Sequence, residues 1–114
     1  MNNCIFCKIA ASEIPSKVIF EDDDVFAFHD INPQAPVHAV IVPKTHIASI
    51  MDSNDAQVVL LGKLLRASTQ VASLLGLPES GFRIVINNGR DGGQTVNHLH
   101  LHVLGGRHLT WPPG

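Results

Sequence analysis

Hydrophobic and polar positions divide the chain into short β-type segments and one long helical segment. Alternating or continuous apolar runs predict strands over 17–20, 25–28, 38–42, 82–87 and 95–104. A period close to 3.6 residues predicts one long helix over 55–75, and residues 4–11 suit one or two helical turns. This order predicts an α+β fold with a mainly antiparallel sheet of about five strands.

The long helix has end signals on both sides. Asn54 and Gln57 resemble a capping box, and Gly76 suits the left-handed position beyond the last turn. Apolar residues at spacings of three and four predict a wide buried stripe, which suits a helix that covers a sheet and also touches a second subunit. Its members are Val58, Leu60, Leu61, Leu64, Leu65, Val71, Ala72, Leu74 and Leu75.

Length and composition narrow the class of protein. The 114 residues fit one globular domain, 1–114, with 45% hydrophobic and 16% charged residues. A net charge of −2 provides no basic surface for a nucleic-acid backbone. No apolar run approaches the roughly 20 residues that cross a bilayer, and residues 1–4 lack the features of a secretory leader. We therefore expect a cytoplasmic protein that binds neither membranes nor nucleic acid.

The most informative segment is His98-Leu99-His100-Leu101-His102-Val103. Histidine alternates with aliphatic residues at a period of two, so a strand would place all three imidazoles on one face and the aliphatic side chains in the core. A helix would scatter the imidazoles around its axis. The polar outer face of an ordinary strand normally mixes residue types, so the pattern favours a functional site.

A polar, glycine-rich loop over residues 87–95 leads directly into this segment. It lacks the lysine of a Walker A loop and the spacing of a dinucleotide fingerprint. Its glycines nevertheless allow successive backbone N–H groups to turn towards an anion. Most imidazole is neutral and nucleophilic at pH 7, because its unperturbed pKa is about 6.5. The combination predicts phosphoryl chemistry in which an imidazole attacks phosphorus and water hydrolyses the phosphohistidine.

Cys4 and Cys7 form a C-x-x-C pair near the N-terminus. In a reducing compartment such a pair is a metal site, a redox pair or two thiols without a special role. A thioredoxin-like pair follows a buried strand, and no strand precedes this one. The position therefore disfavours redox function and leaves the other two interpretations open.

Four segments together resemble the histidine triad (HIT) family, and most closely its Hint branch of purine nucleoside phosphoramidases. They are the H-x-H-x-H segment, the Gly-Gly-Gln-Thr before it, residues 30–38 and the terminal Trp-Pro-Pro-Gly. The resemblance covers nearly the whole chain and implies a HIT-like fold. It also implies hydrolysis of the P–N bond in AMP–amine or GMP–amine conjugates, with no cofactor required for catalysis.

The resemblance assigns roles to the histidines and their neighbours. His100 would be the nucleophile that is transiently nucleotidylated, and His102 would donate to the phosphate. His98 and His38 would support the orientation and polarity of the site. The remaining nucleotide-binding residues would be Asp30 and Ile31 at the ribose and base, and Asn87, Gly93, Gln94 and Thr95 around the phosphate and leaving group. The family usually has serine at the position of Thr95, and the hydroxyl is retained.

The resemblance also implies a homodimer whose two sheets join into one, with the tail over 105–114 near the partner's site. Trp111 would then influence the choice of leaving group, although the sequence alone equally suits a packing anchor. Cys4, Cys7, His46 and His98 match a zinc tetrad of some bacterial relatives, and two thiolates with two imidazoles suit tetrahedral zinc. His29 and His108 receive no role.

Three alternatives remain beside the phosphoramidase. The chain would serve as a nucleotide-sensing or partner-binding module with vestigial catalysis, as a dinucleoside polyphosphate hydrolase, or as a structural zinc protein. The last would leave His100, His102 and the glycine-rich loop unused. The sequence does not decide between adenine and guanine, or identify the physiological amine.

Overall fold

A five-stranded sheet forms the centre of the fold, with strand order β1-β2-β3-β5-β4 and every neighbouring pair antiparallel. A computed structural model describes residues 3–114. The prediction that residues 1–4 lack the features of a secretory leader involves Met1 and Asn2, which lie outside the described residues. The elements are α1 (Ile5–Ala10), β1 (Val18–Glu21), β2 (Val25–His29), β3 (Val37–Pro43), α2 (Val58–Leu74), β4 (Phe82–Val85) and β5 (Leu101–Gly105). These elements confirm the predicted α+β class.

The two faces of the sheet pack against different partners. Alternate strand residues on one face form the larger core with α2, and the residues between them form a smaller cluster with α1. The first set includes Ala27, Ile41, Leu101 and Val103; the second includes Phe26, Phe28, Val40 and Val42. Within residues 3–114, no helix has the length and apolar character needed to cross a membrane.

The end signals of α2 are confirmed. The Asn54 side-chain oxygen Oδ1 accepts from the Ala56 N–H, and the Gln57 side chain accepts from the Asn54 N–H, which together cap a short 3₁₀ turn over Asp55–Gln57. The α-helix itself begins one turn later than expected, at Val58. Gly76 has a φ of +75°, as its position after the helix requires.

Three positions of the predicted stripe of α2 are not buried within the single chain. Val58, Leu65 and Leu74 are 61%, 51% and 62% exposed. The buried residues are Leu64, Val71 and Ala72, which the predicted stripe included, and Ala67 and Ser68, which it did not. Small side chains in the middle of this face let the helix lie close to the sheet, and the Ser68 hydroxyl donates to the Leu65 carbonyl. Hydrophobicity alone ranks leucine above alanine and serine, so it misplaced the contact face.

The strand predicted over 95–104 is also too long, because β5 begins only at Leu101. The β3–β5 ladder runs from Val37 opposite Gly105 to Ile41 opposite Leu101. Further along β3, Pro43 has no N–H to donate, so the ladder cannot continue regularly. Leu99 donates instead to the carbonyl of Ile47, at 2.6 Å.

Side-chain alternation nevertheless continues through this irregular segment. Leu99 lies in the core on the α2 face together with Leu101 and Val103. The three imidazoles lie on the other side, where the Phe6 ring of α1 contacts both His98 and His100. The predicted separation of aliphatic side chains and imidazoles onto opposite faces is therefore confirmed, although residues 98–100 are not part of a hydrogen-bonded strand.

Candidate functional site

Two neighbouring cavities meet at Thr95 and His102. The larger, of about 280 Å³, has a wall of apolar side chains from α1 and β2 and includes His100. The smaller, of about 260 Å³, is lined by residues of the glycine-rich loop and by His38. The predicted residues among the linings are Asp30, Ile31, Thr95, His100 and His102 in the first, and His38, Asn87, Gly93, Thr95 and His102 in the second.

A backbone carbonyl fixes the tautomer of His100. The ring is 4% exposed, and its Nδ1 lies 2.6 Å from the carbonyl oxygen of His98. Because a carbonyl can only accept, Nδ1 of the neutral ring carries the proton. Nε2 therefore keeps its lone pair, on a ring that lines the larger cavity. This is the nitrogen that would act as a nucleophile.

A backbone donor fixes His38 and His102 in the tautomer opposite to that of His100, with the proton on Nε2. The Gln34 N–H donates to His38 Nδ1 at 3.0 Å, so the His38 proton is on Nε2. That nitrogen donates to His102 Nδ1 at 2.8 Å, which leaves the His102 proton on its own Nε2. The rings of His100 and His102 have centroids 4.9 Å apart, and their Nε2 atoms thus carry a lone pair and an N–H donor, respectively.

The imidazoles of the site are neutral at pH 7. Burial lowers the pKa of His100 and of His38 below the usual value. The hydrogen bond to the His98 carbonyl and then the Asp30 carboxylate oppose the shift at His100, and the Asp30 carboxylate opposes it at His38. Burial, followed by repulsion from His100 and His38, lowers the pKa of His102 to about 4. A neutral ring is required of a nucleophile, so these shifts favour attack by imidazole.

The glycine-rich loop is held by its own side chains. Asn87 donates to the Gly92 carbonyl at 2.7 Å. The Gln94 side chain accepts from the Gly89 N–H and donates to the carbonyls of Ala48 and Val96. These contacts give Gln94 a supporting role in the loop, and its predicted contact with a phosphate stays a prediction.

Three glycines of this loop are needed for its shape. Gly89 and Gly93 have φ values of +71° and +77°, which residues other than glycine rarely adopt. A Cβ on Gly92 would lie 2.9 Å from the Asn88 backbone nitrogen, closer than real contacts allow. The loop can therefore turn tightly beside His102, where an anion would have to lie.

Asp30 and Ile31 stand at the edge of the larger cavity. One Asp30 carboxylate oxygen accepts from the Asn32 N–H at 2.8 Å, and the other lies 3.5 Å from His38 Nε2. Ile31 is 98% exposed, so it offers an apolar surface at the mouth. Their predicted contacts with ribose and base are compatible with this placement.

Cys4, Cys7, His46 and His98 come together in a separate cluster. His98 Nδ1 lies 3.4 Å from each sulfur and 3.1 Å from His46 Nδ1, and the Cys7 sulfur lies 3.3 Å from the same His46 nitrogen. Ligands of tetrahedral zinc lie about 3.3–3.8 Å apart when Zn–N and Zn–S bonds are about 2.0–2.3 Å long. The donor set and its spacing fit a zinc ion.

A backbone carbonyl also prepares His98 for a metal. Its Nε2 donates to the carbonyl of Pro43 at 2.8 Å, so the lone pair is on Nδ1, the nitrogen that faces the cluster. Metal-ligating histidines are commonly oriented by such a bond from the other ring nitrogen. His98 therefore belongs to the Cys/His cluster by its side chain and contacts His100 through its carbonyl.

Sequence reasoning missed two contributors to the site. Gln34 acts through its backbone N–H, which no side-chain pattern reveals, although it lies inside the segment 30–38 that carried the family resemblance. Phe6 packs edge-on against His100, with ring centroids 5.0 Å apart. The signal for Phe6 was an aromatic residue between two candidate metal ligands.

Comparison with known proteins places the chain in a family. The model of the HIT domain matches residues 11–109. The crystal structure of a HIT family hydrolase from Legionella pneumophila Philadelphia 1 is 54% identical and has a TM-score of 0.96, covering 98% of this chain and 100% of that one. The fold is thus that of a histidine triad protein.

Two curated relatives extend the likeness. Adenylylsulfatase HINT1 of Arabidopsis thaliana is 49% identical over 96% of this chain and 76% of that protein. The 14 kDa zinc-binding protein of Brassica juncea is 48% identical over 96% of this chain and 98% of that protein. The chain belongs to the HIT family, and its relatives include Hint-type proteins.

The low pKa of His102 can be measured directly. In an NMR titration of the tag-free protein, its ring resonances should shift with a midpoint near pH 4, because burial and two neighbouring imidazoles oppose a positive charge. In the unfolded chain His102 takes up its proton near pH 6.5. The contribution of the neutral His102 ring to the free energy of unfolding is therefore complete above about pH 6.5 and is lost as the pH falls towards 4. A midpoint near 6.5 would contradict the described environment.

Proposed function

We propose that this protein is a nucleotide hydrolase that cleaves purine nucleoside 5′-phosphoramidates through a nucleotidyl intermediate on His100. The observation that carries the proposal is the tautomer of His100: its Nδ1 is held by the His98 carbonyl, which leaves the Nε2 lone pair on a ring lining a nucleoside-sized cavity. The Legionella relative, named a HIT family hydrolase, supports the reaction class.

The reaction follows from the two tautomers. The His100 Nε2 lone pair attacks the α-phosphorus, and the bond from phosphorus to the leaving nitrogen breaks. The leaving nitrogen takes a proton from solvent water as it departs, because a neutral His102 could give up its Nε2 proton only by becoming an anion. The His102 Nε2–H, which the Gln34–His38 chain keeps on that nitrogen, donates a hydrogen bond to the phosphate. Water then attacks the same phosphorus and loses a proton to solvent, while the P–N bond to His100 breaks and the monophosphate leaves.

The cavities suggest how the substrate would lie. The apolar wall of the larger cavity suits a purine, and Asp30 at its edge suits the ribose hydroxyls. The phosphate would lie where the cavities meet, near the Thr95 hydroxyl and the turn at Gly93, with support from Asn87. The leaving group would then extend into the smaller cavity past His38.

A second substrate class is favoured by the name of one relative. The Arabidopsis protein is called an adenylylsulfatase, which suggests that a sulfate on AMP is also a candidate leaving group here. Sulfate needs no proton to depart, so the rate of its cleavage should depend less on pH than the rate of amine release does. Relative kcat/KM on adenylyl sulfate, AMP–tryptamine phosphoramidate and a diadenosine polyphosphate would rank the classes.

His100→Asn tests the role of the nucleophile. We expect turnover of AMP–tryptamine phosphoramidate to fall at least a thousandfold, because asparagine has no comparable lone pair. AMP affinity, measured by calorimetry, should change far less. Normal turnover would show that another group attacks phosphorus. Tight AMP binding with negligible turnover by the unaltered protein would instead favour a sensing module.

We further propose that Cys4, Cys7, His46 and His98 hold a structural zinc ion. The donor spacing and the orientation of His98 by Pro43 support this assignment, and so does the name of the Brassica relative. Zinc would stabilise the attachment of α1 to the loop after β3 and would leave the Nε2 atom of His100 available. It supplies no step of the proposed reaction.

Metal analysis of tag-free protein should find about one zinc ion per chain. Cys7→Ser should lose most of it, because a serine hydroxyl is a much poorer zinc ligand than a thiolate. Cys7→Ser with an undiminished zinc content would contradict the assignment. Thr69→Ser, on the exposed part of α2, is a control for handling and should retain the metal.

The homodimer is also a proposal. Apolar side chains of α2, including Val58, Val59 and Leu65, are exposed, and β4 is an edge strand paired only with β5 in the described sheet. Trp111 is 81% exposed, so within one chain it is not the packing anchor that the sequence equally allowed. A partner subunit would cover these groups, and the tail over 105–114 of each chain would then lie near the site of the other.

Light scattering at micromolar concentration should give about twice the chain mass of 12.3 kDa. Leu65→Lys should shift the distribution towards the single-chain mass, because it places a charge in the apolar surface. A protein that scatters as a single chain at every concentration would contradict the dimer.

A further inference from the structure

We propose that metal binding at the Cys/His cluster and nucleotide binding at the His100 cavity strengthen each other through α1 and the backbone of His98. The inference rests on the proposed nucleotide and zinc sites and adds a property that neither has alone. The cluster and the cavity share structural parts, so a change in one reaches the other without a long chain of contacts.

The first shared part is α1. This helix has only six residues, and its N-terminal position, Cys4, makes no side-chain capping bond. Helices this short are not stable by themselves. Cys4 and Cys7 would attach it to a metal, while Ile5, Phe6 and Ile9 form part of the cavity wall. Zinc would therefore order the wall against which a purine packs.

Phe6 transmits the position of α1 to the reacting ring. It lies between the two cysteines, and its ring packs edge-on against His100 at 5.0 Å and against Phe28 at 5.7 Å. If α1 loosened, the cavity would lose an aromatic wall and His100 would lose a packing partner. Both changes would weaken nucleotide binding.

The second shared part is His98. Its ring Nδ1 faces the cysteines, and its carbonyl accepts the 2.6 Å bond from His100 Nδ1. A metal bond to the ring would restrain the residue whose carbonyl sets the orientation of His100. Nucleotide bound against His100 would in turn hold His98 in the position that suits the metal.

Such coupling is reciprocal by thermodynamic necessity: the factor by which zinc raises AMP affinity equals the factor by which AMP raises zinc affinity. Coupling between sites usually falls between about 5-fold and 150-fold. The two sites here are in direct contact through Phe6 and His98, so we expect a factor of about ten or more in each direction.

The test uses the tag-free full chain with AMP and zinc as the probes. Calorimetry gives the Kd for AMP in zinc-loaded and chelator-stripped protein. Competition with a chromophoric chelator gives the Kd for zinc with and without saturating AMP. We expect AMP to bind about tenfold more tightly to the loaded form, and AMP to tighten zinc by the same factor. Equal affinities in both experiments would overturn the coupling.

Phe6→Leu separates the α1 route from general loss of folding. The variant keeps the helix, both cysteines and an apolar side chain, so zinc should bind as before in the absence of AMP. The coupling factor, by which each ligand raises the affinity for the other, should shrink severalfold. Lys8→Ala, on the same helix but outside the cavity lining, should keep the full factor. An undiminished factor in Phe6→Leu would overturn the role of that ring.

The failures are distinguishable. Loaded protein that does not bind AMP would refute the nucleotide site, and protein that does not bind zinc would refute the metal site. Two intact sites with independent affinities would refute only the coupling.

Discussion

The hydrogen bond from His100 Nδ1 to the carbonyl oxygen of His98 is the interaction on which the proposed chemistry depends. It keeps the ring proton on the nitrogen beside the backbone and leaves the lone pair on the other nitrogen. The opposite tautomer would set a nitrogen lone pair against a carbonyl oxygen and lose a bond worth about 1 kcal/mol or more. Burial lowers the pKa of His100 and so keeps the ring neutral, because a positive charge would be costly in this buried position.

Main-chain groups orient the neighbouring histidines in the same way. The Gln34 N–H determines the tautomer of His38 and, through it, that of His102, and the Pro43 carbonyl turns the lone pair of His98 towards the cysteines. In the proposed functions the same residue type would therefore serve as nucleophile, hydrogen-bond donor and metal ligand, because each ring meets a different backbone partner.

Much of this arrangement was accessible from the sequence. Alternation over 98–103 correctly assigned the aliphatic side chains to the core and the imidazoles to the opposite side, and Asn54 and Gln57 correctly marked the start of the long helix. These features are local, since a side-chain period or a capping motif involves residues close in the chain.

The errors involve contacts that no local pattern contains. The start of β5 at Leu101 depends on the missing N–H of Pro43 in the neighbouring strand, more than fifty residues earlier. The contact face of α2 depends on how closely Ala67 and Ser68 let the helix approach the sheet. Likewise, Gln34 contributes a main-chain donor whose partner only the fold identifies.

The identity of the modified nitrogen tests the central claim most directly. The protein would be mixed with AMP–tryptamine phosphoramidate, quenched in base within milliseconds to preserve P–N bonds, digested, and analysed by fragment-ion mass spectrometry and by chromatography of the phosphohistidine isomers. We predict an adenylyl group on His100, bonded through Nε2. An adduct on His98 or His102, or one bonded to Nδ1 of His100, would contradict the account.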